Sequence, residues 1–128
     1  MFDPSGNNLI NSTFLGGTGN EGINEGGLVF NYADEVRGEI LVDDFGDVYV
    51  ASCTRSANNP ISGVGFQTTK PGPPSDLDGI LYKLNHNLTN LKWTNYLGGA
   101  QEDAVFSIAL DTDQNIYVTG GTCLLYTS

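Results

Sequence analysis

Ile40-Leu41-Val42-Asp43-Asp44-Phe45-Gly46-Asp47-Val48-Tyr49-Val50-Ala51 returns, without a gap, as Ile108-Ala109-Leu110-Asp111-Thr112-Asp113-Gln114-Asn115-Ile116-Tyr117-Val118-Thr119. The two copies lie 68 residues apart. Each joins an apolar stretch to an Asp-rich turn and then to a run of β-branched and aromatic residues, the pattern of a β-hairpin. Self-similarity at a fixed offset marks stacked supersecondary units, because a single unit leaves an apolar face bare.

A second match precedes each hairpin. Leu9-Ile10-Asn11-Ser12-Thr13-Phe14-Leu15-Gly16-Gly17 aligns with Leu91-Lys92-Trp93-Thr94-Asn95-Tyr96-Leu97-Gly98-Gly99 at an offset of 82 residues. The offsets differ by 14, which places a fourteen-residue insertion near residues 20–33. Between the matches, the pair Asp34-Glu35 falls on Glu102-Asp103 at the offset of 68.

Each repeat therefore reads as four short strands. The first is expected at 39–42, closed by a turn at 43–47 in which Gly46 takes positive φ. The second spans 48–53. A loop with Pro60, Gly63, Gly65 and Pro71-Gly72-Pro73-Pro74 follows. The third strand is expected at 79–84 and, after a polar turn at 85–90, the fourth at 91–97. Gly98-Gly99 then permits a sharp crossing into the next unit. Strands apolar on both faces need cover on both sides. Four-stranded units stacked radially supply it, which is the β-propeller; a stacked sandwich of hairpins is the alternative. The four-strand meander with a short crossing favours the propeller.

The fold class is accordingly all-β, a partial β-propeller of about one and a half four-stranded antiparallel blades, where a closed ring has about four to eight. Residues 1–17 read as the outer strand of a preceding blade and 18–37 as an inserted inter-blade loop. Residues 38–99 form a complete blade and 100–122 the first strands of the next. The piece is expected to need the remaining blades of its own chain, and alone to be marginal or prone to aggregate through its open edges.

Composition narrows the function. The 128 residues carry 15 acidic and 5 basic side chains, a formal charge of −10, which disfavours nucleic acid and anionic lipid as partners. No run of eighteen apolar residues predicts membrane insertion, and the first residues have no signal-peptide pattern. Cys53 and Cys123 form neither a CxxC pair nor a disulfide framework.

The segments Tyr96 to Gly99, Ile108 to Asp111, Asn115 to Gly120 and Asp78 to Leu84 resemble the Tyr-Leu-Gly-Gly, Ile-Ala-Val-Asp, Gly-Asn-Val-Tyr-Val-Thr-Gly and Asp-Ala-Phe-Val-Ala-Lys-Leu elements of the bacterial β-propeller (SBBP) repeat. The resemblance implies a large exported bacterial protein, extracellular or at the cell surface. Gln114 departs from it, standing where the family has its turn glycine. Either a distorted turn or Asn115 in the left-handed role is expected there. The insertion is likewise not a family feature. Cys123-Leu124-Leu125-Tyr126-Thr127-Ser128 breaks the repeat and is similar to the translation of a transposon-type sequencing adapter, so residues 123–128 are expected to be non-native.

Candidate sites are few. Asp34, Glu35, Glu102 and Asp103 occupy equivalent loops, where repeated carboxylates would line a cation or sugar site or simply form a solvated face. Asp111, Asp113 and Asn115 place oxygens at alternate positions, as calcium loops do. The glycine and glutamate of an EF-hand loop are missing, and an Asx-rich hairpin turn explains the same residues without a cofactor. His86 falls in a polar turn beside no nucleophile or metal motif, and Cys53 reads as a small buried hydrophobe. Trp93 and Tyr96 lie on opposite faces of their strand and are expected between blades. The matches to glycosylation sequons at Asn11 and Asn87 carry little weight.

The meander sends both long loops, 18–37 and 54–77, to one face, and that face is the expected binding surface. The expected function is a noncatalytic scaffold or adhesion module for surface glycans or proteins. The alternative is part of a carbohydrate-active lyase or glycosidase with its catalytic residues outside this segment, since paired carboxylates are the usual glycosidase machinery.

Overall fold

The computed structural model describes residues 1–23 and 38–123. Among them six strands, all antiparallel, form two sheets. Strands β1 (Glu39–Val42), β2 (Val48–Thr54), β3 (Asp78–Leu84) and β4 (Leu91–Leu97) make a four-stranded meander in chain order. Strands β5 (Asp103–Leu110) and β6 (Ile116–Thr122) form a separate hairpin. The bounds of β1 and β4 match the expected ones. β2 runs one residue further and β3 starts one residue earlier, because Thr54 and Asp78 face each other and extend the ladder.

Period-two alternation divides the meander into two buried faces. On one, Ile80, Tyr82, Leu84 and Tyr96 form a cluster against which Leu15 and Val50 pack. On the other, Tyr49, Ala51 and Leu81 join Val105 and Ile108 of β5, with Trp93 and Leu97 alongside. The second hairpin thus lies face to face on the first sheet and does not continue it. Trp93 meets the Tyr49 ring edge-on, with centroids 6.0 Å apart. The Glu39 carboxylate reaches from β1 to accept the Ile108 N–H at 2.7 Å.

Residues 9–17 make no ladder with a described strand; only the bridge between Phe2 and Leu9 forms. An outer strand needs an inner neighbour to bond with, and among the described residues no strand pairs with this segment. Leu15 still packs on the sheet face where a preceding unit would stack.

The two hairpin turns are copies of each other. Asp43 N–H bonds Asp47 O at 3.0 Å and Gly46 N–H bonds Asp43 O at 2.9 Å; Asp111 to Asn115 O and Gln114 to Asp111 O repeat these at 3.2 and 3.1 Å. Gln114 itself takes the left-handed backbone, φ 64°. The expected distortion does not occur, and Asn115 does not take that role.

Candidate functional site

Short turns gather at one end of the blade, and long connections at the other. At the long-loop end, the connection between β2 and β3 folds back along β4. Thr94 N–H bonds Ser62 O at 3.2 Å and Tyr96 N–H bonds Gln67 O at 2.8 Å, so the outer edge of the sheet is covered by its own loop. Gly63 makes this approach possible: it sits at φ 71°, and a Cβ there would lie 2.6 Å from Lys92 O.

A buried polar knot anchors the same loop. Asn59 Nδ2 donates to Thr54 Oγ1 at 2.9 Å and Ser56 O at 3.0 Å, while Tyr82 O–H donates to Asn59 Oδ1 at 2.6 Å. Tyr96 O–H donates to Ser56 O at 3.0 Å. Burial pushes the Tyr82 phenol well above its ordinary pKa. The described start of the first long loop is fastened to this knot. Gly19 N–H bonds Ser56 Oγ at 2.7 Å, Thr18 N–H bonds Asn58 Oδ1 at 3.0 Å, and Arg55 N–H bonds Asn20 O at 2.9 Å. Glu21 accepts hydrogen bonds from Ser56 Oγ and Gly17 N–H.

Of the expected carboxylates, Asp34 and Glu35 lie outside the described residues. Glu102 and Asp103 are adjacent but turned to different partners. Glu102 pairs with Arg55 at 3.0 Å, and Asp103 Oδ2 accepts the Gly99 N–H at 2.6 Å. Residues 98–101, Asp103, Thr122 and Cys123 surround a pocket of about 430 Å³.

Beneath them lies a pair that sequence reasoning missed. Lys70 and Asp78, both buried, meet at 2.5 Å, and Lys70 Nζ also donates to Pro73 O at 3.1 Å. Burial pushes the Asp78 carboxyl up to about 6, against the pull of Lys70 and with the help of Asp103 and Asp76. Its Oδ1 has no hydrogen-bond partner. A lysine inside a Pro/Gly-rich loop gives no spacing signal that would have paired it with Asp78.

At the short-turn end, Asp43 Oδ1 accepts N–H bonds from Phe45 and Asp47, and Oδ2 accepts the Tyr49 O–H at 3.3 Å. Lys83 completes the group: its Nζ lies 3.1 Å from Asp47, donates to Tyr49 O at 2.6 Å, and stands 4.5 Å above the Tyr49 ring centre. Lys92 pairs with Asp47 at 2.5 Å and, with Lys83, holds that carboxyl below its ordinary range. In the second hairpin Asp111 takes the role of Asp43. It accepts from Asp113 N, Asn115 N, Asn115 Nδ2 and Tyr117 O–H at 2.8 to 3.1 Å. The Asn115 side chain, chiefly, holds the Asp111 carboxyl below its usual range. Asp111 and Asn115 are thus joined directly, and Asp113 contributes only its backbone N–H to them. No described lysine stands beside Asp111.

His86 is exposed in its turn. Cys53 is fully buried, and burial pushes its thiol up to about 11.

A four-stranded antiparallel meander with the first hairpin of a second unit stacked on its face defines blades of a β-propeller. Residues 92–122 match the family described as SBBP, a beta-propeller repeat. The chain thus carries an SBBP repeat over 31 of its 128 residues. That match runs from β4 through β5 and β6, so the sequence repeat bridges two sheets and is out of phase with the structural blade. No curated protein and no solved structure matches the chain.

Proposed function

We propose that this chain is part of a noncatalytic β-propeller exported to the bacterial cell surface or beyond, serving as a scaffold and binding or adhesion module. The ligand-bearing surface in this reading is the long-loop end. The observation that carries it is the bonding of residues 18–20 to Arg55, Ser56 and Asn58. Two long connections fastened together on a rigid blade form the kind of composite loop surface on which propellers and other scaffolds hold partners. The export reading rests on the repeat's resemblance to those of large exported bacterial proteins. Surface glycans or proteins are the proposed partners.

The test is a panel of surface polysaccharides and proteins assayed both for retention and for cleavage. Retention without cleavage is expected, with retention lost on removing residues 20–33 and kept in Lys92→Ala at the opposite end. Cleavage of any polysaccharide would overturn the noncatalytic reading. Retention that survives the loop deletion would overturn the assignment to this surface.

A further inference from the structure

Lys70 and Asp78 close the last part of the loop between β2 and β3 with a contact suited to chemistry as well as to pairing. Their side chains are 3% and 1% exposed, and Lys70 Nζ lies 2.5 Å from Asp78 Oδ2. Pro73 O accepts a second bond from Nζ at 3.1 Å and fixes its direction. The carboxyl carbon stands one C–O bond beyond Oδ2, so amine and carboxyl are held close to attack geometry.

Separated charges are costly in a site this dry. Passing one proton from the ammonium to Oδ2 removes both and leaves a free amine against a carboxylic acid. The surroundings of Asp78 favour that neutral form. Burial lifts the carboxyl to about 6 against the pull of Lys70, and the negative charges of Asp103 and Asp76 act in the same direction as burial. Oδ1 has no hydrogen-bond donor to stabilise a carboxylate. Asp103 stands close by: a Cβ on Gly98 would collide with Asp78 Oδ1 and lie 3.1 Å from Asp103 Oδ2.

We infer that Lys70 and Asp78 condense into an intramolecular amide, a covalent staple across residues 70–78. The Nζ lone pair attacks Cγ, the N–C bond forms and the Cγ–Oδ2 bond breaks. Oδ2 leaves as water, carrying the proton it received and one more from the amine. Oδ1 becomes the amide carbonyl oxygen, and the remaining N–H keeps its bond to Pro73 O. The step is redox-neutral and needs no co-reactant. Until the bond forms Asp78 titrates as a free carboxyl; afterwards neither group does. The staple fixes one end of the loop whose other end is knotted around Asn59, and it stands independently of what the long-loop surface binds.

The test is the intact mass of the folded full chain on standing at neutral pH, followed by tryptic fragmentation. A mass lower by one water is expected. Peptide 56–83, which trypsin releases between Arg55 and Lys83, should give no backbone fragments between Lys70 and Asp78. Lys70→Arg keeps the charge without the amine and should retain its full mass, as should the parent chain held unfolded in urea. A folded parent of full mass, with the contacts between Tyr49 and Val105 in place, would overturn the inference. So would a water loss confined to Asp78 with Lys70 still open to acetylation, because that is the imide formed with Gly79. Loss of water from Lys70→Arg would overturn it equally.

Discussion

Gly46 and Gln114, 68 residues apart, adopt the same left-handed backbone, at φ 82° and 64°. A glycine adopts this conformation freely, whereas a side chain with a Cβ is strained by about 1 kcal/mol or more. Gln114→Gly is therefore expected to stabilise the chain by about 0.5 kcal/mol, after the entropy glycine adds to the unfolded state. Gly46→Ala is expected to destabilise it by about 1 kcal/mol. Urea midpoints of the two variants check both signs.

The paired turns also differ in what depends on them. The Asp43 side chain is buried and serves two backbone N–H groups, Tyr49 and Lys83, whereas Asp111 serves an exposed turn. Asp43→Ala is expected to cost about 3 kcal/mol, because it removes the buried acceptor of the Phe45 and Asp47 N–H groups and of the Tyr49 hydroxyl. Asp111→Ala is expected to cost far less. Equal losses in thermal or urea unfolding would contradict this account of the turn end.

Asp78 makes stability depend on pH in an unusual direction for a carboxylate. Its folded-state value of about 6 lies above the ordinary 3.8, so its contribution is full below about pH 4 and is lost as pH rises through 6. Relative to Asp78→Asn, the parent chain should lose stability between pH 4 and 6 and then level off. A parent that gains on the variant over that window would show that the Lys70 pairing outweighs burial.

The loop over β4 predicts an aggregation phenotype. Gly63→Val places a branched side chain against Lys92 O at a left-handed position, so the loop is expected to lift from the edge. The exposed ladder of Leu91–Leu97 then becomes a template for other chains. Concentration-dependent light scattering above that of the parent is the expected result, and unchanged scattering would show that the loop does not guard this edge.

The strand order and turn positions were legible because period-two alternation and the repeat act over a few residues, and the spacing of Asp43 and Asp111 carried the turns. Trp93 and Tyr96 fell on opposite faces for the same reason. What was not legible depends on long-range contact. The knot around Asn59 joins a loop residue to Tyr82 and Tyr96, and the pairing of Lys70 with Asp78 arises from how the loop folds back. Gln114 misled the reading because the turn's hydrogen bonds, anchored by Asp111, hold an unfavourable residue in the left-handed region. Of the four candidate loop carboxylates, Glu102 and Asp103 are accounted for by partners that no spacing rule identifies.

The central claim is that β5 and β6 stack face to face on the first sheet as the start of a second blade. Inter-residue NMR contacts test it most directly. The account predicts contacts from the Tyr49 ring and Ala51 methyl to the side chains of Val105 and Ile108, with no backbone pairing between β5 and the meander. Backbone contacts placing β5 in register beside β1 or β4, as one continuous six-stranded sheet, would contradict it.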